Sequence, residues 1–265
     1  MSAKPPAPAR WRTDAAAHSH VGRVRKENQD AYGVFPDLGF FVVADGLGGH
    51  KAGEVASHMA VETLRAALAS TDDDDLTPVT DPHGSTSIGG RRLVIAVEEA
   101  NRCIRDASRD PAHAGMGSTV AAVLFDQRYD VVAVCHVGDS RVFRVRNGAI
   151  EQLTEDHTVV QQWVREGRMA AADAQSSPHR HMITQALGTQ DLVRPGLRLE
   201  RPEPGDVFVL TSDGVHDLVQ ADEIGRVVSE TLGDLTRMCV RLVELANDRG
   251  GRDNSTAVAV RCDPP

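Results

Sequence analysis

The chain has 265 residues, 41% hydrophobic and 25% charged, with 29 Lys and Arg against 38 Asp and Glu for a net charge of −9. That length and apolar content fit one compact domain, or two small ones, with a sizeable core. With 4% aromatics as well, the composition excludes a general nucleic-acid or anionic-membrane binder, since phosphate backbones need clustered cations and bases need aromatic faces.

In chain order, residues 1–14 are rich in Ala and Pro and carry Lys4 and Arg10. They read as a flexible leader without the apolar stretch of a signal peptide. A β-type apolar run at 40–44 is followed by a helical segment at 53–70. Residues 71–90, with four consecutive Asp, read as a solvated acidic loop, because the run lacks the spaced turn of a calcium loop. A second helix is expected at 91–108, then strands at 119–125 and 131–137. A strand at 207–211, helices at 221–230 and 234–247, and a strand at 256–260 complete the pattern. Short turns at 125–129 and at Asn147-Gly148 join neighbouring strands, which favours antiparallel sheets. The fold class is α+β, with a sheet core and helical outer layers. No apolar run is long enough to span a bilayer. Cys103, Cys135, Cys239 and Cys262 form no CxxC pair; they read as reduced thiols, with the cytoplasm as the default compartment.

One design recurs. Strand-like runs end abruptly in Asp45-Gly46, in Gly138-Asp139-Ser140 and in Asp213-Gly214, and Asp253-Asn254 stands just before the last strand. Glycine lets the backbone turn sharply there, leaving the carboxylate at the rim of a rigid sheet. Any one of these aspartates alone reads equally as a turn residue or helix cap. If the strand ends meet, the clustered carboxylates repel one another unless a cation intervenes. Hard oxygen donors without a His/Cys cluster select Mg²⁺ or Mn²⁺ over Zn²⁺. Upstream, the run 24–30 (VRKENQD) sets Arg25, whose fork can grip phosphate, before Asp30.

These segments together carry a resemblance. VRKENQD, DGLGGH at 45–50, GST at 117–119, VGDSR at 137–141, SDGVHD at 212–217 and Asp253-Asn254 occur in the order found in metal-dependent protein serine/threonine phosphatases of the 2C type (the PPM family). The chain is most similar to the bacterial stand-alone branch, over about residues 18–262. The resemblance implies a four-layer αββα sandwich of two antiparallel sheets flanked by helices. It implies a single catalytic domain over 15–263, with a flap at 154–188. It also implies two or three Mn²⁺ or Mg²⁺ ions. By position, Asp45 would bridge two metals, the Gly46 carbonyl would bind the second, and Asp213 and Asp253 would complete the shell of the first. Asp139, with Asp213, would hold a third. Arg25 would hold the substrate phosphate and Asp30 would orient a metal-bound water, while Gln29 and Asn254 would stand behind the ligands. Two cations about 3.5–4 Å apart can acidify a bridging water to hydroxide. That hydroxide would displace the serine or threonine alkoxide in line, without a covalent phosphoenzyme. His50 is a candidate general acid or an anchor of its loop, and Ser140 a further candidate in the GDSR run.

Some positions depart from the family pattern. Gln29 stands where an acidic residue is frequent, Ser177 where histidine is common and His181 where asparagine is common. Trp163 is bulky for its place; with Met169 it reads as packing between flap and body. His179, Arg180 and His181 are either a positive patch for phosphopeptides or an ordinary exposed turn, and His136 reads as a satisfied semi-buried histidine. The expected partners are phosphoserine and phosphothreonine proteins and a bacterial serine/threonine kinase or its targets. No nucleic acid or membrane is expected, and the chain reads as a monomer. Two other functions stand beside the phosphatase: a silent phosphoprotein-binding module, which the complete aspartate set disfavours, and a hydrolase of small phosphomonoesters.

Overall fold

The central strands carry apolar side chains on both faces, so each sheet needs a covering layer on either side. The computed structural model, which describes residues 11–49, 52–70, 76–81, 84–174 and 176–264, meets that demand. It opens with β1 (Arg12–His20), β2 (Asp30–Phe35), β3 (Phe40–Leu47) and α1 (Ala52–Ser70). A ribbon of β4 (Val79–Thr80) and β5 (Thr86–Ser87) leads into α2 (Ile88–Ala107). Five strands follow: β6 (Gly117–Ser118), β7 (Val120–Asp126), β8 (Val131–Val137), β9 (Arg141–Arg146) and β10 (Ala149–Gln152). The segment 154–188, expected as a flap, contributes α3 (Val159–Arg165) and α4 (Ala171–Ala174). The last elements are β11 (Gly196–Glu200), β12 (Val207–Thr211), α5 (Asp213–His216), α6 (Ala221–Glu230), α7 (Leu235–Asp248) and β13 (Ser255–Asp263).

One sheet has the order β1-β13-β12-β9-β10 and the other β11-β8-β7-β3-β2, antiparallel at every pairing. α1 and α2 pack on the second sheet, α6 and α7 on the first. This is the expected αββα sandwich. The alternation of side chains sorts the layers. Along β3, Phe40, Val42 and Ala44 face the helices, while Phe41 and Val43 face the other sheet. Along β13, Ala257 and Ala259 face helices, and Val258, Val260 and Cys262 face the inter-sheet layer. The Phe125 ring stands edge-on to Phe41 at 6.1 Å and to Phe208 at 5.8 Å, which joins the two sheets. Following the inter-sheet parity to one end of the sandwich, Phe41 and Val43 give way to Asp45, Leu210 to Ser212, and Val258 to Thr256. The apolar layer thus ends in oxygen atoms, and the site lies there.

Two boundaries differ from expectation. Residues 1–10 lie outside the described residues, but Arg12 to Asp14 are not leader: they begin β1 and pair with Asp263 to Arg261 of β13. Trp11 is tied down as well, its indole N–H donating to Asp130 at 2.6 Å. The acidic segment ends earlier than 90. Residues 71–75 and 82–83 lie outside the described residues, and α2 starts at Ile88 because the Ser87 hydroxyl caps it, accepting from the Gly90 N–H at 2.7 Å. Trp163 packs with residues of its own segment, with His179 edge-on at 5.5 Å and the Arg168 guanidinium over its ring at 5.5 Å. All four cysteines are free thiols. No helix among the described residues is long and apolar enough to cross a membrane.

Candidate metal centre

Asp30 opens β2 directly opposite Asp45 on β3. Its Oδ2 accepts hydrogen bonds from the hydroxyls of Ser212, at 2.8 Å, and Thr256, at 2.6 Å. Its Oδ1 is buried and finds no hydrogen-bond partner among the described residues. Burial pushes this carboxyl up to about 6, against the two hydroxyl bonds that favour the anion.

Four more carboxylates gather around it. Asp45 is held well above the ordinary carboxylate range by burial and then by the charges of Asp30, Asp213, Asp139 and Asp253. Asp213, at the first residue of α5, is raised by burial and by Asp139, Asp217, Asp253 and Asp30. Its Oδ1 is a second buried oxygen without a partner among the described residues. Burial and then Asp156 push Asp139 up to about 6. Mutual repulsion and orphaned acceptor oxygens are what a divalent cation relieves, and hard oxygen donors suit Mg²⁺ or Mn²⁺. The residues present therefore fit the expected metals.

The surrounding bonds fix these side chains. Thr119 brackets Asp45: its Oγ1 accepts from the Asp45 N–H at 3.1 Å and its own N–H donates to the Asp45 carbonyl at 2.8 Å. Ser140 Oγ lies 2.7 Å from that same Thr119 oxygen, so this buried candidate supports Asp45 through Thr119. At Gly46 a Cβ would lie 2.0 Å from the Gly53 carbonyl, so only glycine lets β3 pass α1 this closely. Asn254 holds the loop at 21–29: its Nδ2 donates to the carbonyls of Val21 and Glu27, each at 2.9 Å, and its Oδ1 accepts from the Gln29 N–H at 2.8 Å. Arg25, on that loop, donates to Asp253 Oδ2 at 2.7 Å.

Arg25, Asp30, Asp45, Asp139, Asp213 and Asp253 are thus brought together, with Gln29 and Asn254 joined behind them. His50 lies outside the described residues. The sequence reading missed Ser212 and Thr256, which anchor Asp30, and Asp217. Asp217 follows Asp213 by one helical turn, a spacing that puts both on one face. His181 Nδ1 approaches Asp217 Oδ2 at 3.2 Å, and ligand atoms of His181, Asp213 and Asp217 all lie within 4.8 Å of one another. Of the flap trio, His181 thus pairs with the body and His179 with Trp163. Arg180 lines a cavity of about 550 Å³ together with Asp139, Arg141, Asp156 and Asp217. His136 is buried, with Nε2 2.7 Å from the Glu155 carbonyl and its ring stacked on His157 at 4.6 Å, as a satisfied histidine should be.

A stability prediction follows from the raised carboxyls. In the metal-free protein, Asp30 and Asp139 take up protons near pH 6 that the unfolded chain has released by about pH 4. Their contribution is therefore full below about pH 4 and is lost as pH rises through about 6. Saturating Mn²⁺ competes with those protons. Its gain in melting temperature is expected to be larger, by several degrees, at about pH 7.5 than at about pH 5. Calorimetry at both values checks this; equal gains would place metal binding elsewhere.

A family model described as protein phosphatase 2C matches residues 16–249. The serine/threonine protein phosphatase PstP of Mycobacterium tuberculosis is 37% identical over 244 residues, covering 92% of this chain and 44% of its own length. The protein phosphatase PhpP of Streptococcus pneumoniae is 31% identical over 243 residues, covering 91% of this chain and 94% of the relative. The crystal structure of a PstP catalytic domain in complex with two manganese ions superposes with a TM-score of 0.79 at 31% identity, covering 95% of this chain and 98% of that one. By the family match and by these full-domain alignments, the chain belongs to the protein phosphatase 2C family.

Proposed function

We propose that the protein is a phosphoric monoester hydrolase that removes phosphate from phosphoserine and phosphothreonine in proteins. It would oppose a bacterial serine/threonine kinase, acting in the cytoplasm as a monomer. The observation that carries this reading is the convergence of five aspartates on one sheet end, two of them with buried oxygens that have no partner among the described residues, beside an arginine within reach of Asp253. Asp45, Asp139, Asp213 and Asp253, with the Gly46 carbonyl, would hold two or three Mn²⁺ or Mg²⁺ ions. Bound there, divalent cations supply Lewis acidity and positive charge that bring the pKa of water toward neutrality.

The chain's own groups do the rest. Asp30 Oδ1, its partner oxygen pinned by Ser212 and Thr256, is placed to accept a proton or hydrogen bond from the attacking water. A carboxyl near 6 is suited to that work close to neutral pH. Arg25 presents its fork to the phosphate and offsets charge that grows on the equatorial oxygens. Asp253 steers the Arg25 guanidinium over the site. The deciding experiment is hydrolysis of a phosphothreonine peptide by metal-stripped protein as Mn²⁺ or Mg²⁺ is titrated back. No turnover with either ion, in a folded protein, would favour the silent binding module instead.

Arg25 separates gripping from packing. Arg25→Ala is expected to lower kcat/KM by about 10²-fold, mostly through KM, as a charged bidentate contact to phosphate is lost. Arg25→Lys should recover only part of it, because a point charge lacks the fork. An unchanged KM in both variants would mean that Arg25 serves Asp253 alone.

A further inference from the structure

Arg25 is not the only cation at the mouth of the site. Arg23, Lys26 and Arg252 stand beside it on two loops, 21–29 and 250–254, that are laced together. The Arg23 N–H donates to the Gly251 carbonyl at 2.7 Å, and Asn254 holds the carbonyls of Val21 and Glu27. A Cβ on Gly251 would fall 2.8 Å from Arg23 Cγ, so the Arg23 side chain lies across that glycine. All three residues are exposed, and none forms a side-chain ion pair or hydrogen bond with another described residue. Elsewhere in this acidic chain many arginines face carboxylates, as Arg65, Arg144, Arg146 and Arg249 do. On the laced loops, four cations meet Glu27 and an Asp253 already engaged by Arg25. Positive charge is concentrated there against the average of the molecule, next to the phosphate grip.

We propose that Arg23, Lys26 and Arg252 form a second anion site, which reads a phosphate or carboxylate carried by the substrate within a few residues of the phosphate being removed. The preferred substrates are then multiply phosphorylated or acidic segments. This inference rests on the phosphatase reading of the metal centre. Successive residues of an extended peptide advance about 3.3 Å, so a flanking anion stays close to the first when Arg25 holds it. Exposed charge pairs are individually weak and screened by salt. Selectivity should therefore come from their sum and fade as ionic strength rises.

The test compares one phosphothreonine peptide in three forms, with phosphoserine, glutamate or glutamine at the flanking positions, and p-nitrophenyl phosphate as a substrate without flanks. With Mn²⁺ at low salt, kcat/KM for the phosphoserine form is expected to exceed that for the glutamine form by about tenfold. The glutamate form, intermediate or equal to the phosphoserine form, tells whether carboxylate serves as well as phosphate. The preference should vanish in the Arg23→Gln, Lys26→Gln, Arg252→Gln triple variant, which keeps its turnover of p-nitrophenyl phosphate, and should shrink in Arg252→Gln alone. Equal turnover of the three peptides by wild type, or an undiminished preference in the triple variant, would overturn the proposal. If neither p-nitrophenyl phosphate nor any peptide is hydrolysed, it is the phosphatase reading that fails. Fluorescence anisotropy of the labelled peptides then judges the rim, and equal affinity of wild type and triple variant for the phosphoserine form would overturn it.

Discussion

Asp45→Asn is expected to abolish metal-dependent hydrolysis of a phosphothreonine peptide, by about 10³-fold or more, and at the same time to raise the melting temperature of the metal-free protein. The two effects have one cause. Asp45 sits among Asp30, Asp213, Asp139 and Asp253, and burial together with their charges holds its carboxyl well above the ordinary range. Without a cation, that cluster stores repulsion; an amide of the same shape removes part of it and leaves the bracket to Thr119 untouched, since those bonds are made by the Asp45 backbone. With a cation, the amide is a poor substitute for an anionic ligand. A loss of about 10³-fold corresponds to about 4 kcal/mol of barrier. Kinetics with titrated Mn²⁺, set beside calorimetry of the stripped protein, reads both signs. A variant less stable than wild type without metal would show that Asp45 holds the fold rather than an ion, and one with undiminished turnover would remove Asp45 from the centre.

The sequence made part of this visible for a physical reason. A chain that leaves a sheet or passes a helix closely there needs a small residue, so Asp45-Gly46 and Asp213-Gly214 mark the rim, although β3 runs on to Leu47 and Gly46 serves the approach of α1 rather than a turn. The continuous apolar runs at 131–137 and 207–211, buried at every position, give β8 and β12 to the residue. What stayed hidden was relation between distant segments. Asp30 is held by Ser212 and Thr256, 182 and 226 residues away, and no spacing along a chain reports such a contact. β1 escapes the pattern because its side chains are mostly Ala, His and Ser, with Thr13 the one β-branched residue. It is a strand because β13 offers it nine paired positions, a tertiary override of weak local propensity. β2 was missed because its first residue, Asp30, closes a motif that reads as chemistry rather than as the start of a strand.

Gly214 offers the sharpest test of how closely the metal-bearing turns are packed. A Cβ there would lie 1.9 Å from the Asn254 carbonyl oxygen and 3.0 Å from Ser255 Oγ. The carbonyl has little freedom to withdraw. The Asn254 side chain ties down the loop at 21–29, and Ser212 and Thr256 bond each other on the next register, Ser212 N–H to the Thr256 carbonyl at 3.1 Å and Thr256 N–H to Ser212 Oγ at 3.0 Å. Gly214→Ala must therefore push α5 away from the start of β13, which parts Asp213 from Asp253 and disturbs both hydroxyls that hold Asp30. The expected cost is about 3 kcal/mol, at the upper end for overpacking, together with weaker Mn²⁺ binding and loss of most turnover. Gly148→Ala is the control. It has nothing within 4 Å of the added methyl, but its φ of +79° strains any other residue, at a cost of about 1 kcal/mol. Located in the β9–β10 turn, it should lower the melting temperature by a few degrees and leave Mn²⁺ affinity unchanged. If Gly214→Ala instead binds Mn²⁺ as wild type does, the two metal-bearing turns are not coupled through this contact, and Gly214 serves the turn alone.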